Sequence, residues 1–312
     1  MYPSARVMIK VRVPASSANM GAGFDSLGVA LNLYSRIAME EISEGLEINT
    51  LNTKGFVPKD ENNLIYRSAL KVFEYTYYKV KGIRIIQDSS IPMTRGLGSS
   101  SACIIGGMLA ANIISGRKLS YTEILNLASQ MEGHPDNAAP ALYGGFCVSL
   151  FDGMTTITKS TKLKSHIKFA VMIPDYFIAT KKSRGVLPET VSFKDAAFNI
   201  AHASMFQAAL ISGDTEILKE AVKDKMHQQY RKNYVDGFDE IFAKTYEAGS
   251  KATYLSGSGP TIVSILDDNY FEFNRSMKQF FKENSHEWNC MILSVDNVGA
   301  VVSEAKNIKD TF

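Results

Sequence analysis

Residues 91–102 read Ile91-Pro92-Met93-Thr94-Arg95-Gly96-Leu97-Gly98-Ser99-Ser100-Ser101-Ala102, a glycine and serine loop between an extended segment and an apolar helix. Ahead of it, Ile83, Ile85 and the residues between them alternate as in a strand; behind it, Ala102 to Ile114 are small or aliphatic, as in a buried helix. Gly96 and Gly98 permit a positive φ or a close backbone approach, and the serines place hydroxyls and N–H groups at the helix start. A helix N-terminus carries unpaired donors and the positive end of the dipole, so the stretch suits an anion such as phosphate. It equally suits a plain glycine turn with a serine N-cap. Two other phosphate loops are set aside: no Gly-Lys-Ser/Thr ends the stretch, and Ser101 stands where a dinucleotide fingerprint has its third glycine.

A chain of 312 residues exceeds the usual span of one domain. The Thr-, Ser-, Lys- and Gly-rich stretch from Asp152 to Lys168 reads as the seam between segments 1–160 and 161–312. Lys and Arg number 34 against 32 Asp and Glu with no basic run, which argues against nucleic acid or a membrane surface as partner. Cys103, Cys147 and Cys290 sit among apolar residues and read as buried, reduced thiols. Residues 1–6 carry no apolar signal-peptide core and no run approaches membrane-spanning length, so a soluble, cytoplasmic protein is expected.

Val7 to Val13 reads as a strand that stops at Pro14. Ala15 to Asp25 then gathers small residues around one amide and one carboxylate; Asn19 and Asp25 are either Asx-turn residues or polar groups presented to a ligand. Asn62 or Asn63 suits the N-cap of a helix carrying Leu64, Ile65, Ala69, Val72 and Phe73. Ser120-Tyr121-Thr122-Glu123 is a capping box, and its helix aligns Leu125, Ala128 and Glu132 on one face. A carboxylate ending an apolar face either reaches solvent or meets a cation. Mg²⁺ at a nucleotide takes a hydroxyl and a carboxylate of the kind that Ser100 and Glu132 offer. In Gly133-His134-Pro135-Asp136-Asn137 the polar side chains suit either turn chemistry or hydroxyl binding and proton handling. The other four histidines are dispersed, which argues against zinc.

In the second half, Phe169 to Ile173 and Tyr176 to Ala179 read as strands, followed by a loop from Thr180 to Pro188 in which Arg184 suits a carboxylate. Helices are expected from Ala196 to Ile211, from an Asp214 cap to Lys225, and from Phe238 to Gly249, with Arg231 in the polar link before the last. Strands flank Ser256-Gly257-Ser258-Gly259-Pro260, and a helix from Tyr270 to Lys282 and a strand from Met291 to Val295 complete an α+β arrangement.

Taken in order, Pro14 to Asp25, Gly96 to Ala102, Glu132 to Asn137 with Ala139-Pro140-Ala141, Ser183 to Pro188 and Ser256 to Pro260 resemble the GHMP family of small-molecule kinases. The resemblance covers essentially the whole chain, and the first, third and fourth segments resemble the homoserine-phosphorylating branch. It implies a two-domain α+β fold, with a ribosomal-protein-like, ATP-binding N-terminal domain containing a left-handed crossover, a ferredoxin-like C-terminal domain, and the site between them. It implies transfer of the γ-phosphoryl group of ATP to the side-chain hydroxyl of L-homoserine, with Mg²⁺, toward threonine, by a homodimer.

By the same resemblance Asn63, Pro92, Arg95, Gly96, Leu97, Gly98, Ser99, Ser100 and Ser101 surround the nucleotide, and Ser100 and Glu132 hold the metal. Asn19, Asp25, His134, Asn137, Arg184, Arg231 and Gly257 match homoserine-contacting positions, while Asp136, Asn137, Thr180 and Glu132 serve the transfer. The chemistry agrees, since an amino acid needs a carboxylate for its ammonium and guanidinium groups for its carboxylate. Asp136 is either a base or a group that orients the hydroxyl, because phosphoryl transfer depends mainly on alignment and charge neutralisation. A kinase for another alcohol, or a non-catalytic binding protein on the same fold, are the competing readings.

Overall fold

The apolar alternation of the first strand holds, but the strand does not stop at proline. In the computed structural model, which describes residues 7–53, 55–178, 183–284 and 286–305, β1 spans Met8–Ala18 and lies antiparallel to β2, Leu27–Ile42. The register shifts between Pro14 and Ala15. A bulge tolerates proline there because the strand on the other side, β11 (Val301–Ala305), pairs only with Met8 to Arg12. The segment read as a loop from Ala15 therefore begins as strand.

β3 (Gly45–Thr50) and β4 (Gly82–Ser89) run parallel and are joined through α1, Leu64–Tyr75, while β4 is antiparallel to β2. Asn63 caps α1, its side chain accepting from the N–H groups of Ile65 and Tyr66. The hairpin of β5 (Phe146–Phe151) and β6 (Thr156–Thr161) joins β2 at Leu27 to Val29 and completes a seven-stranded sheet. β6 falls inside the stretch read as a seam, and β3 and β11 were not anticipated.

Helix α2, Ser99–Ile114, packs on β1 and β2 and is covered by α1, so nearly every side is buried. This is why its sequence is apolar without a polar stripe. α3 (Tyr121–Glu132), with the expected capping box, and α4 (Ala138–Tyr143) lie beside it.

A second sheet holds β7 (Lys168–Pro174), β8 (Ala252–Leu255), β9 (Ile262–Leu266) and β10 (Trp288–Ser294), antiparallel in the order β10-β7-β9-β8. Numbered within this sheet the order is 4-1-3-2, the ferredoxin-like arrangement. Both faces are covered. Phe169, Val171, Tyr254, Val263 and Ile265 join the main core, whereas Ala170, Met172, Leu255, Ile262 and Leu266 pack with Ile241 of α6 (Phe238–Glu247) and Phe273, Met277 and Phe281 of α7 (Tyr270–Glu283). Two buried faces give continuous apolar runs rather than alternation.

Two expectations fail in this half. Residues 176–178 are not strand: the pairing of β7 with β10 runs out with the Asp175 N–H donating to the Glu287 carbonyl, and the chain leaves the sheet beyond it, while Ala179 lies outside the described residues. Asp214 caps nothing: with the left-handed Gly213 it ends α5 (Phe193–Ser212), both N–H groups donating to the Ala209 carbonyl. The next helical piece is the single turn Leu218–Ala221. No helix among the described residues is long and apolar enough to cross a membrane.

The closeness of α1 and α2 rests on Gly107, where a Cβ would run into the Ile65 carbonyl and the Ser68 hydroxyl. Gly107→Ala gains about 1 kcal/mol of helix propensity but incurs an overpacking cost of about 1–3 kcal/mol. Calorimetry is expected to show a net loss of stability; a Tm at or above the parent's would show that α1 gives way freely.

Candidate active site

Between the two sheets lies a cleft of about 520 Å³, lined by the starts of α1 and α2, the ends of β1 and α3, and loops from the second half. Its floor is the glycine loop. Gly96 and Gly98 both have positive φ, 78° and 67°, and Gly98 rather than a serine is the N-cap of α2, with no side-chain cap bond. The alternative of a serine-capped turn is thereby removed, and the first N–H groups of a 16-residue helix are left uncapped by any side chain at the cleft. A Cβ at Gly98 would collide with Ser16 Oγ, which itself donates to Asn137 Oδ1 at 2.9 Å.

Of the expected nucleotide residues, Asn63, Arg95, Gly96, Leu97, Gly98, Ser99, Ser100 and Ser101 all line the cleft, and Pro92 does not. Arg95 is turned away from the loop, donating to the carbonyls of Pro174, Asp175 and Met93. Asn63 has its amide committed to the cap of α1 and to the Pro58 carbonyl. Val57, Pro58, Leu64, Ile65, Cys103, Ile104 and Met131 complete an apolar end of the cleft. Sequence reading assigned Leu64 and Ile65 to a scaffold face and missed this wall.

Glu132 ends α3 against the start of α2, where Ser101 Oγ donates to its carboxylate and the Ser100 hydroxyl also bears on it. Burial pushes the Glu132 carboxyl above its ordinary value, against the pull of His134 and the two serines. Two residues on, His134 Nδ1 donates to Asp136 Oδ1 at 2.5 Å. Burial works against a charged imidazole, but Asp136, Glu132 and Asp25 outweigh it and raise His134 to about 9. Asp25, His134 and Asp136 bring ligand-type atoms within 4.8 Å of one another.

At the other end stand the remaining residues. Asn19, with φ 68°, accepts from the Asp25 N–H and donates to the Gly257 carbonyl, so its amide holds the loop shut. Arg184 grips Asp25 through both nitrogens at 2.8–3.1 Å. Arg231 is buried, donating through Nε to the Ser183 carbonyl and through Nη1 to the Gly257 carbonyl and His227 Nδ1. Burial and the nearby Arg184 charge lower Arg231 to about 10. Phe24 lies under both guanidinium groups, 5.4 Å from Arg184 and 5.2 Å from Arg231. Phe24 and His227 were missed, although Phe24 stands inside the first glycine segment and His227 precedes Arg231 by one helical turn. Thr180 lies outside the described residues.

The raised His134 value carries a pH signature. In the unfolded chain the ring titrates near 6.5, so the fold holds an extra proton from there up to about 9. Its contribution is complete below about 6.5 and is lost as pH rises through about 9. Without metal or nucleotide, stability is expected to fall across that window by on the order of 2 kcal/mol, and His134→Gln should flatten the profile. A His134 Hε1 resonance titrating near 6.5 would contradict this.

Residues 63–145 match the family profile described as GHMP kinases N terminal domain, and residues 206–273 match GHMP kinases C terminal. The chain is 45% identical over 298 residues to the homoserine kinase of Clostridium beijerinckii, covering 95% of this chain and 99% of that one. It is 45% identical over 297 residues to the homoserine kinase of Caldicellulosiruptor saccharolyticus, covering 95% and 96%. The crystal structure of homoserine kinase from Cytophaga hutchinsonii superimposes with a TM-score of 0.86 over 97% of this chain and 99% of that one, at 27% identity. With two family domains in order and near full-length relatives at this identity, the chain belongs to the GHMP kinase family.

Proposed function

We propose that the chain is a homoserine kinase, transferring the γ-phosphoryl group of ATP to the side-chain hydroxyl of L-homoserine to give O-phospho-L-homoserine and ADP. The observation that carries this reading is one cleft with an uncapped helix N-terminus at one end and Asp25, Arg184 and Arg231 at the other. The uncapped N–H groups of α2 suit the nucleotide phosphates, and the apolar wall suits the base. Asp25 takes the substrate ammonium, and Arg184 and Arg231 take its carboxylate. This sets the hydroxyl end of the amino acid toward the glycine loop.

Asp136 Oδ1 is already occupied by His134, which leaves Oδ2 to receive the attacking hydroxyl, with Asn137 beside it. Asp136 and Asn137 in this reading orient the hydroxyl, and cationic His134 keeps the carboxylate in place. Thr180 keeps its proposed place beside the γ-phosphate.

The hydroxyls of Ser100 and Ser101 and the carboxylate of Glu132 are hard oxygen donors gathered at the phosphate end, a set that suits Mg²⁺. Ser100 and Glu132 would hold it, and when bound it neutralises phosphate charge. The remaining parts of the reading are a division near residue 160 into nucleotide-binding and ferredoxin-like domains, a cytoplasmic homodimer, and a place in threonine formation.

The test is ADP release from MgATP with L-homoserine, D-homoserine, L-serine, mevalonate and galactose offered separately. Turnover selective for L-homoserine is expected, and Arg184→Ala should raise its KM by about tenfold or more through loss of a charged hydrogen-bonding partner. Turnover of a different alcohol would overturn the substrate assignment, and ATP binding without any acceptor would favour a binding protein. Asp136→Asn should lower kcat modestly; a fall of several orders of magnitude at unchanged KM would instead establish obligate base catalysis.

A further inference from the structure

Behind the amino-acid end of the cleft runs a chain of buried polar side chains that the proposed reaction does not consume. Asn199 Nδ2 donates to Asp224 Oδ1 at 2.8 Å. Asp224 Oδ2 in turn accepts from the N–H groups of His227 and Gln228, fixing the turn Gln228–Arg231. Asn199, His227 and Arg231 are 2%, 0% and 3% exposed, and each is hydrogen-bonded. Such groups are costly to bury, and a fully satisfied network of them specifies one geometry.

The tautomer of His227 follows from its partners. Arginine has only donors, so Nδ1, 3.3 Å from Arg231 Nη1, must present its lone pair. A carbonyl only accepts, so Nε2, 2.9 Å from Gly21 O, must carry the proton. The ring is therefore neutral, in keeping with the downward push that burial gives it. With both nitrogens engaged it has none left for acid–base chemistry. Gly21 belongs to the loop of Asn19, Phe24 and Asp25, where a Cβ would collide with the Val222 carbonyl, and Phe24 stacks on the His227 ring at 5.4 Å.

We infer that His227 is a positioning residue for substrate-carboxylate recognition: it bridges the loop carrying Asp25 to the buried Arg231 and sets the guanidinium at the angle at which it meets the carboxylate. This rests on the proposed function. Together with the Ser183 and Gly257 carbonyls it fixes Nε and Nη1, and among the described residues Nη2 has no hydrogen-bond acceptor, leaving that edge for the substrate.

Two substitutions separate the two bonds of His227. In His227→Asn the side-chain oxygen stands where Nδ1 stood and still accepts from Arg231; in His227→Gln the longer amide still donates to Gly21 but the acceptor is lost. Each is assayed with L-homoserine and with 3-aminopropan-1-ol, which is homoserine without its carboxylate, after thermal unfolding has shown the variant folded. His227→Gln should raise the homoserine KM by about 10- to 100-fold, the range for a hydrogen bond to a charged group, with ATP KM and aminopropanol kcat/KM within twofold. His227→Asn should restore most of the homoserine KM.

Equal losses on both acceptors, or no loss, would overturn the inference in favour of a structural role. A parent enzyme inactive on homoserine would instead sink the proposed function. In that event long-range ¹H–¹⁵N spectra of the histidine rings decide: an Nε2–H neutral His227 that changes in Arg231→Lys upholds the positioning contact, and a cationic ring or the other tautomer refutes it.

Discussion

Everything in the cleft depends on three stretches of backbone meeting with almost no side chain between them. Ser17 and Ser256 share a hydroxyl hydrogen bond of 2.7 Å, Ser256 Oγ donates to the Gly96 carbonyl at 2.6 Å, and the N–H groups of Gly257 and Ser16 donate to the Ala18 and Leu97 carbonyls. The end of β1, the glycine loop and the turn between β8 and β9 are thereby sewn into one piece. A Cβ at Gly96 would run into the Ser256 carbonyl, so the seam cannot form with any other residue in place. Each buried bond contributes only about 1 kcal/mol, but an orphaned partner would cost about 1–3 kcal/mol, which makes the seam cooperative. It fixes the N-terminus of α2, which belongs to the first sheet, against Gly257 and Arg231, which belong to the second.

That junction also dictates the electrostatics. Asp25, Glu132 and Asp136 converge from the loop after β1, the end of α3 and the loop before α4, and three like charges at such range would repel strongly. His134 and Arg184 enter between them, each on a carboxylate, and Arg231 lies behind. The raised His134 value and the lowered Arg231 value are two sides of one arrangement. The histidine is surrounded by acids, whereas the arginine is buried with a second guanidinium beside it.

How much of this was legible depended on whether the signal was local. Gly96 and Gly98, the Asn63 cap, the Ser120 to Glu123 box and the polar triplet of His134, Asp136 and Asn137 announce themselves within a few residues, and all are where the sequence placed them. β11 was invisible because Val301 to Ala305 shows no alternation of its own; its partner, Met8 to Arg12, lies at the opposite end of the chain. Tyr176 to Ile178 has strand composition, but the sheet edge it needed is occupied by β10. In the sequence His227 is one member of a polar link, because its meaning lies in Gly21 and Arg231, and only the fold brings the first of these to it.

The Asp25–Arg184 pair deserves a different reading from an ordinary surface ion pair. At 29% and 43% side-chain exposure it contributes little stability, of the order of 0–1 kcal/mol. Yet each partner is the complement of one charge on an α-amino acid. In the proposed reading, a zwitterion entering between them would exchange one screened ion pair for two, ammonium with Asp25 and carboxylate with Arg184, with Arg231 already held in place as a second guanidinium. A ligand with only one of the two charges would leave one member of the pair without its partner, and the loss of that contact offsets the gain of the new one. On that reading discrimination would arise from the resting state of the site as much as from the bound one. An alcohol lacking both charges has nothing to offer in place of the contact it would have to break.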